Sequence, residues 1–145
     1  IDTMSYKTLR QATSTGNPIQ VAAYVLYVDL DGDTATTNDQ TYYVYEPAYN
    51  GTVQTGVWQT WDVLQGGNSK WWGNGSGVPN QTWSAIVATH PAALALAYGF
   101  NQGLQTQVLI HSYKIWYLTA QQHTLPLLAW VVEVMIATHP TKRFL

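Results

Sequence analysis

Val21-Ala22-Ala23-Tyr24-Val25-Leu26-Tyr27-Val28-Asp29-Leu30 is the stretch on which the fold turns. Set out with the two-residue period of a strand, Ala23, Val25, Tyr27 and Asp29 face one way, and Tyr24, Leu26, Val28 and Leu30 face the other. Both faces are largely apolar, so this strand needs cover on both sides, as it would have inside a sandwich.

The neighbouring text agrees with a β protein. Upstream, Tyr6 to Gln20 reads as a strand and then a loop, because Thr13-Ser14-Thr15-Gly16-Asn17-Pro18 supplies turn geometry. Downstream, the polar loop Asp31 to Thr41 leads into Tyr42-Tyr43-Val44-Tyr45, whose aromatic and β-branched residues predict an antiparallel neighbour. Pro47 and Asn50-Gly51 punctuate the next connection. A strand over Val57 to Val63 follows, and Gly66-Gly67-Asn68 then turns the chain into Lys70-Trp71-Trp72. Trp83, Ile86 and Val87 fit a short amphipathic helix, with Thr82 as its N-cap and Pro91 as its stop, and Leu94 to Phe100 reads as another strand. The expected architecture is an all-β antiparallel sandwich with one short helix near residues 83 to 89. Its core is drawn from Val25, Val28, Val44, Ile86 and Leu96.

A chain of 145 residues is ordinary for one domain and long enough to bury a sizeable core. Only 10% of the residues are charged and the net charge is −2, so no basic field exists to hold a phosphate backbone and nucleic acid is excluded as the expected partner. The absence of cysteine removes disulfides, thiol nucleophiles and thiolate-bound metals. Leu125 to Ala137, the longest apolar run, is short for a bilayer and carries Glu133, so no membrane span is expected. Seven Trp and ten Tyr stand against two Phe, a balance that suits half-exposed sheet faces and wet binding surfaces.

The style of the chain changes after Gly103. Residues 104–145 contain no Gly, Asp or Asn and hold three of the four His. Gln107 to Leu118 and Leu127 to Ile136 still predict strands, folding together as a hairpin whose two apolar sides need cover. Hence the domain divides into a sandwich, residues 1–103, and an atypical hydrophobic segment, residues 104–145, from which self-association is expected. A change of reading frame near Gly103 explains the shift, and a genuine hydrophobic ending is the alternative. Ala-Thr-His-Pro occurs at residues 88–91 and 137–140, two short matches that make no repeat array.

Gly56-Val57-Trp58-Gln59-Thr60-Trp61-Asp62 and Lys70-Trp71-Trp72-Gly73 place four Trp within fifteen positions. Exposed indoles stack on the apolar faces of sugars, and Gln59, Asp62 and Lys70 can hydrogen-bond hydroxyls. Trp58, Gln59, Trp61, Asp62, Lys70, Trp71 and Trp72 are therefore the candidate ligand-binding residues. The alternative is that these Trp fill the space between the sheets. Asp29, Asp31 and Asp33, with Asn38 and Asp39 following, offer oxygen ligands to calcium around Gly32. The EF-hand pattern fails, since Thr34 stands where that loop needs Gly and no Glu closes it; the alternative is a solvated acidic turn. Catalysis has little support: Glu46 and Asp62 flank the Trp cluster, but neither lies in a catalytic motif, and the four His lack metal-ligand spacing. No catalytic residue is assigned. Asn50-Gly51-Thr52, Asn74-Gly75-Ser76 and Asn80-Gln81-Thr82 satisfy the glycosylation sequon.

Met4-Ser5-Tyr6, then Val25 to Asp33, then Val44-Tyr45-Glu46-Pro47, then the GVWQTWD and KWW motifs and Tyr98 to Gly103 together resemble a group of secreted, largely uncharacterised jelly-roll β-sandwich proteins of the concanavalin-like kind. The resemblance covers residues 1–103. It implies a jelly-roll-like sandwich at the cell surface or outside the cell, and it implies further strands before Ile1, so that the chain starts inside the domain. It also implies a Gly- and Asp-containing final strand, which does not occur after Gly103. The functional expectations, in order, are a glycan-binding module, a structural or adhesive surface domain, and a glycosidase.

Overall fold

The computed structural model describes residue 1 and residues 3–101, 107–110 and 130–135. Along β1 (Ser5–Arg10) burial alternates strictly, with Tyr6, Thr8 and Arg10 buried. β2 (Ala23–Asp29) is buried on both sides along most of its length, as its two apolar faces require. β3 (Gln40–Tyr45) follows, and Pro47 then opens a single helical turn, α1 (Pro47–Asn50). Next come β4 (Trp58–Asp62), β5 (Lys70–Gly73) and β6 (Ser76–Thr82). The helix predicted near residues 83 to 89 is α2 (Trp83–Thr89), and the Thr82 hydroxyl accepts from the Ala85 amide at its N-cap. β7 (Leu94–Asn101), β8 (Gln107–Ile110) and β9 (Trp130–Met135) complete the elements.

The strands form two antiparallel sheets, one in the order β4-β1-β9 and one in the order β6-β5-β3-β2-β7-β8. Between them lies one core. Tyr6 from β1 and Trp61 from β4 meet Tyr24, Leu26 and Val28 from β2, Tyr43 and Tyr45 from β3, Trp71 from β5 and Phe100 from β7, while Trp83 and Ile86 of α2 close one side. Rings dominate this interior: Tyr6 lies 5.4 Å from Phe100 and Trp71 lies 5.3 Å from Trp83, spacings at which aromatic pairs attract beyond their buried area. Several of the polar tips find local partners. Tyr6 donates to the Ala22 carbonyl, Trp61 Nε1 to Thr8 Oγ1 and Trp71 Nε1 to Ser69 Oγ.

Of the expected core, Val28 and Ile86 lie in this cluster. Val25 and Val44 are equally buried, but with Ala23 they form a second cluster on the opposite face of the large sheet. Leu96 is only half-buried, because the pairing of β2 with β7 shifts between Tyr27 and Val28 and leaves Leu96 opposite the irregularity. β6, which the Gly-rich text around Trp72 hid, pairs with β5. The two tail strands join different sheets, β8 beside β7 and β9 beside β1, rather than pairing with each other as the expected hairpin. Residues 111–129 and 136–145 lie outside the described residues, as does the stretch around Gly103 where the change of frame is expected. Among the described residues no helix is long and apolar enough to cross a membrane.

Candidate functional site

Side-chain parity divides the Trp cluster. On β4, Trp61 points inward and is 6% exposed, so Trp58, three residues earlier, emerges on the outer face of the three-stranded sheet, where it is 45% exposed. On β5, Trp71 is fully buried and Trp72 turns to the outer face of the six-stranded sheet, packing over Val25 and Val44. The two exposed or half-exposed indoles of the cluster therefore lie on opposite sides of the sandwich, and the other two are core.

The remaining candidates divide in the same way. The Gln59 amide accepts from the Gln54 amide N–H at 2.6 Å and donates to the Thr52 carbonyl, holding the loop before β4. Asp62 Oδ1 accepts from the Leu64 and Gln65 amides at 2.9 and 3.0 Å and so fixes the turn after β4. It lines a cavity of about 430 Å³ with Ile1, Met4, Leu64 and Trp83. Lys70 is exposed and precedes Trp72 by two residues, which puts both on one face of β5.

On that face the structure assembles something the sequence spread over three strands. Tyr27 of β2 is the register partner of Tyr42 on β3, with ring centroids 6.2 Å apart, and Tyr42 stands edge-on to Trp72 at 6.3 Å. The result is a row of three rings across β2, β3 and β5. Tyr27 and Trp72 are half-buried and Tyr42 is 45% exposed. Cross-strand aromatic pairs of this type stabilise a sheet.

Glu46 ends the row. It continues β3 in extended conformation, two residues beyond Val44, and its Oε1 accepts from Trp72 Nε1 at 2.9 Å. The indole is thereby held in one orientation by a charge-assisted bond. Asn50 fixes this corner from behind: its Nδ2 donates to the Glu46 and Lys70 carbonyls, and its Oδ1 accepts from the Lys70 amide at 2.6 Å. That side chain holds α1 against β5, so the first sequon is committed to internal hydrogen bonds. Gly73 completes the arrangement with φ 136°, at a position where a Cβ would collide with the Tyr42 carbonyl oxygen.

The inner face has different chemistry. Burial pushes the Tyr45 phenol up to about 12, a rise that the hydrogen bond from Gln65 only partly offsets, and burial also raises Tyr6, Tyr24, Tyr43 and Tyr98. Among these hydroxyls Tyr6 donates to the Ala22 carbonyl and Tyr45 accepts from Gln65 Nε2. At the other end of the large sheet, Asp29, Asp31 and Asp39 bring carboxylate oxygens within 4.8 Å of one another. Asp33 stands apart from this cluster: its amide donates to Asp31 Oδ1 and its own Oδ1 accepts from the Ala35 amide, so it turns the loop.

Sequence reasoning did not single out Tyr27 and Tyr42, although strand parity puts Tyr27 on the face of Val25 and Tyr42 on that of Val44. It missed Asp39 because the contact depends on β3 returning alongside β2. Comparison of the chain with protein-family profiles, with curated proteins and with solved structures finds no match.

Proposed function

We propose that this domain binds carbohydrate on the outward face of the six-stranded sheet, through the row Tyr27, Tyr42 and Trp72 flanked by Glu46 and Lys70. The observation that carries the reading is the row itself: three rings at 6.2 and 6.3 Å spacings, only partly covered, with a carboxylate fixed at one end. Sugar rings present C–H faces to aromatic planes and hydroxyls to carboxylates and ammonium groups, and an apolar platform with a few polar groups at its margin suits both. Extended chains suit a row better than single sugars, since neighbouring rings can engage successive residues.

A glycosidase would need Glu46 and a second carboxylate across one cleft. Asp62 does not serve, since it belongs to the other sheet and its Oδ1 already accepts two backbone amides. Binding without turnover is therefore the reading, and a role at the cell surface or outside the cell follows from the kind of ligand. Titration of the full chain with soluble β-linked hexasaccharides, read by tryptophan fluorescence, is the test. Saturable quenching supports the proposal. Unchanged emission with every oligosaccharide, together with no retention on insoluble polysaccharide, favours the structural or adhesive alternative.

A further inference from the structure

Three features converge where β2 ends. Asp29, the last residue of β2, is fully buried, and its Oδ1 has no hydrogen-bond partner; its Oδ2 meets only Gln40 Nε2, at a long 3.4 Å. Asp39, just before β3, directs Oδ2 to the Asp31 amide at 2.9 Å, while its Oδ1 is also buried and without a partner. Asp31 completes the group, and the three carboxylates offer oxygens within 4.8 Å of one another. An acidic cluster alone is ordinary on a protein surface. A buried carboxylate oxygen that no donor reaches is not, because desolvation without a compensating partner is costly.

We infer that Asp29, Asp31 and Asp39 form a site for a single calcium-like divalent cation that ties the end of β2 to the start of β3. Oxygen ligands at roughly 2.4 Å on opposite sides of calcium stand about 4.8 Å apart, whereas magnesium draws its ligands to about 2.1 Å and demands a tighter octahedron. Oxygens that all lie within 4.8 Å of one another can close on one such ion, and calcium's flexible shell accepts an irregular set of carboxylates that magnesium's octahedron does not; water or backbone carbonyls complete it. The loop is held close for the purpose: Gly32 has φ +78°, and a Cβ there would meet the Ala92 carbonyl oxygen at 2.5 Å. Asp29 follows Tyr27 by two residues on the same face of β2, so the cation sits at the end of the aromatic row opposite Glu46. The inference does not depend on what that row binds.

The test is calorimetric titration of the chelator-treated full chain with calcium chloride, accompanied by thermal unfolding. One ion per chain is expected, with a Kd of about 1 mM or tighter, the range of extracellular calcium modules. At about 100 times Kd the midpoint should rise by roughly 5 °C or more. Asp39→Asn should weaken binding by about tenfold or more, whereas Asp33→Asn should leave it within about twofold. Asp29→Asn is not needed to decide the matter, so its folding is immaterial. No saturable heat up to about 20 times the expected Kd, with equal midpoints in calcium and in chelator, overturns the site. Equal affinity for magnesium overturns the calcium assignment, and equal loss in the Asp33 and Asp39 variants overturns the ligand set.

Discussion

The two outer faces of this sandwich carry the same kind of residue in different surroundings. On the three-stranded sheet Trp58 shares a face with Leu9, Lys7, Thr60 and Asp62, and among the described side chains of that face no second ring joins it in a row. On the six-stranded sheet Trp72 lies over Val25 and Val44 and continues Tyr42 and Tyr27 into a platform. Both indoles come from one Trp-dense stretch of sequence. What separates them is parity on their strands and the sheet each strand joins, so aromatic density by itself does not define a site.

The contrast between interior and exterior rings can be broken first by alkali. Tyr45, raised to about 12, and Tyr6, Tyr24, Tyr43 and Tyr98, raised with it, all hold their protons more tightly folded than unfolded. In the unfolded chain they ionise near pH 10. Stability is therefore fully present below about pH 10 and is lost as pH climbs through the folded values, since the native state binds more protons across that window. Cooperative unfolding between about pH 10 and 12, followed by circular dichroism, is expected. A fold unaffected by that range would show that these phenols are not buried as described.

Trp71→Ala is the next largest effect. Its ring is fully buried and packs on Tyr24, Tyr45 and Trp83, so its removal should cost about 3–5 kcal/mol in denaturant unfolding. A loss under about 1 kcal/mol would place Trp71 outside the core.

How much of this was legible in the sequence follows from which interactions are local. β2 was readable because its two apolar faces lie within ten residues, and α2 because Thr82, Trp83, Ile86 and Pro91 encode start, face and stop in one short segment. The face of each Trp was less so. The pair Trp71-Trp72 must split between two sides of a strand, but which one is inside depends on β5 pairing with β3, where Trp71 falls opposite Tyr45. Trp61 faces inward because β4 pairs with β1 and sets it opposite Tyr6, a contact fifty-five positions away in sequence. Asp39 in place of Asp33 has the same origin, since only the return of β3 brings it to Asp29. β6 was hidden because Ser76-Gly77-Val78-Pro79 reads as a turn, and it is tolerated as a strand at the edge of its sheet, where Pro79 interrupts no central ladder.

Trp58→Ala should give the smallest effect and sharpens the comparison most. With the ring 45% exposed on the plainer face, its loss should change stability by less than about 1 kcal/mol. Unfolding in urea measures this directly, and a cost rivalling that of Trp71 would mean that the three-stranded face is covered in solution.

The central claim is that ligand binding belongs to one outer face. Calorimetric titration of the wild-type chain, Trp72→Ala and Trp58→Ala with whichever hexasaccharide quenches the wild-type fluorescence tests it most directly. Trp72→Ala should bind about tenfold or more weakly, as loss of an aromatic anchor does, while Trp58→Ala binds as the wild type does. Equal affinities for all three, or a loss confined to Trp58→Ala, would contradict the assignment of binding to the six-stranded sheet.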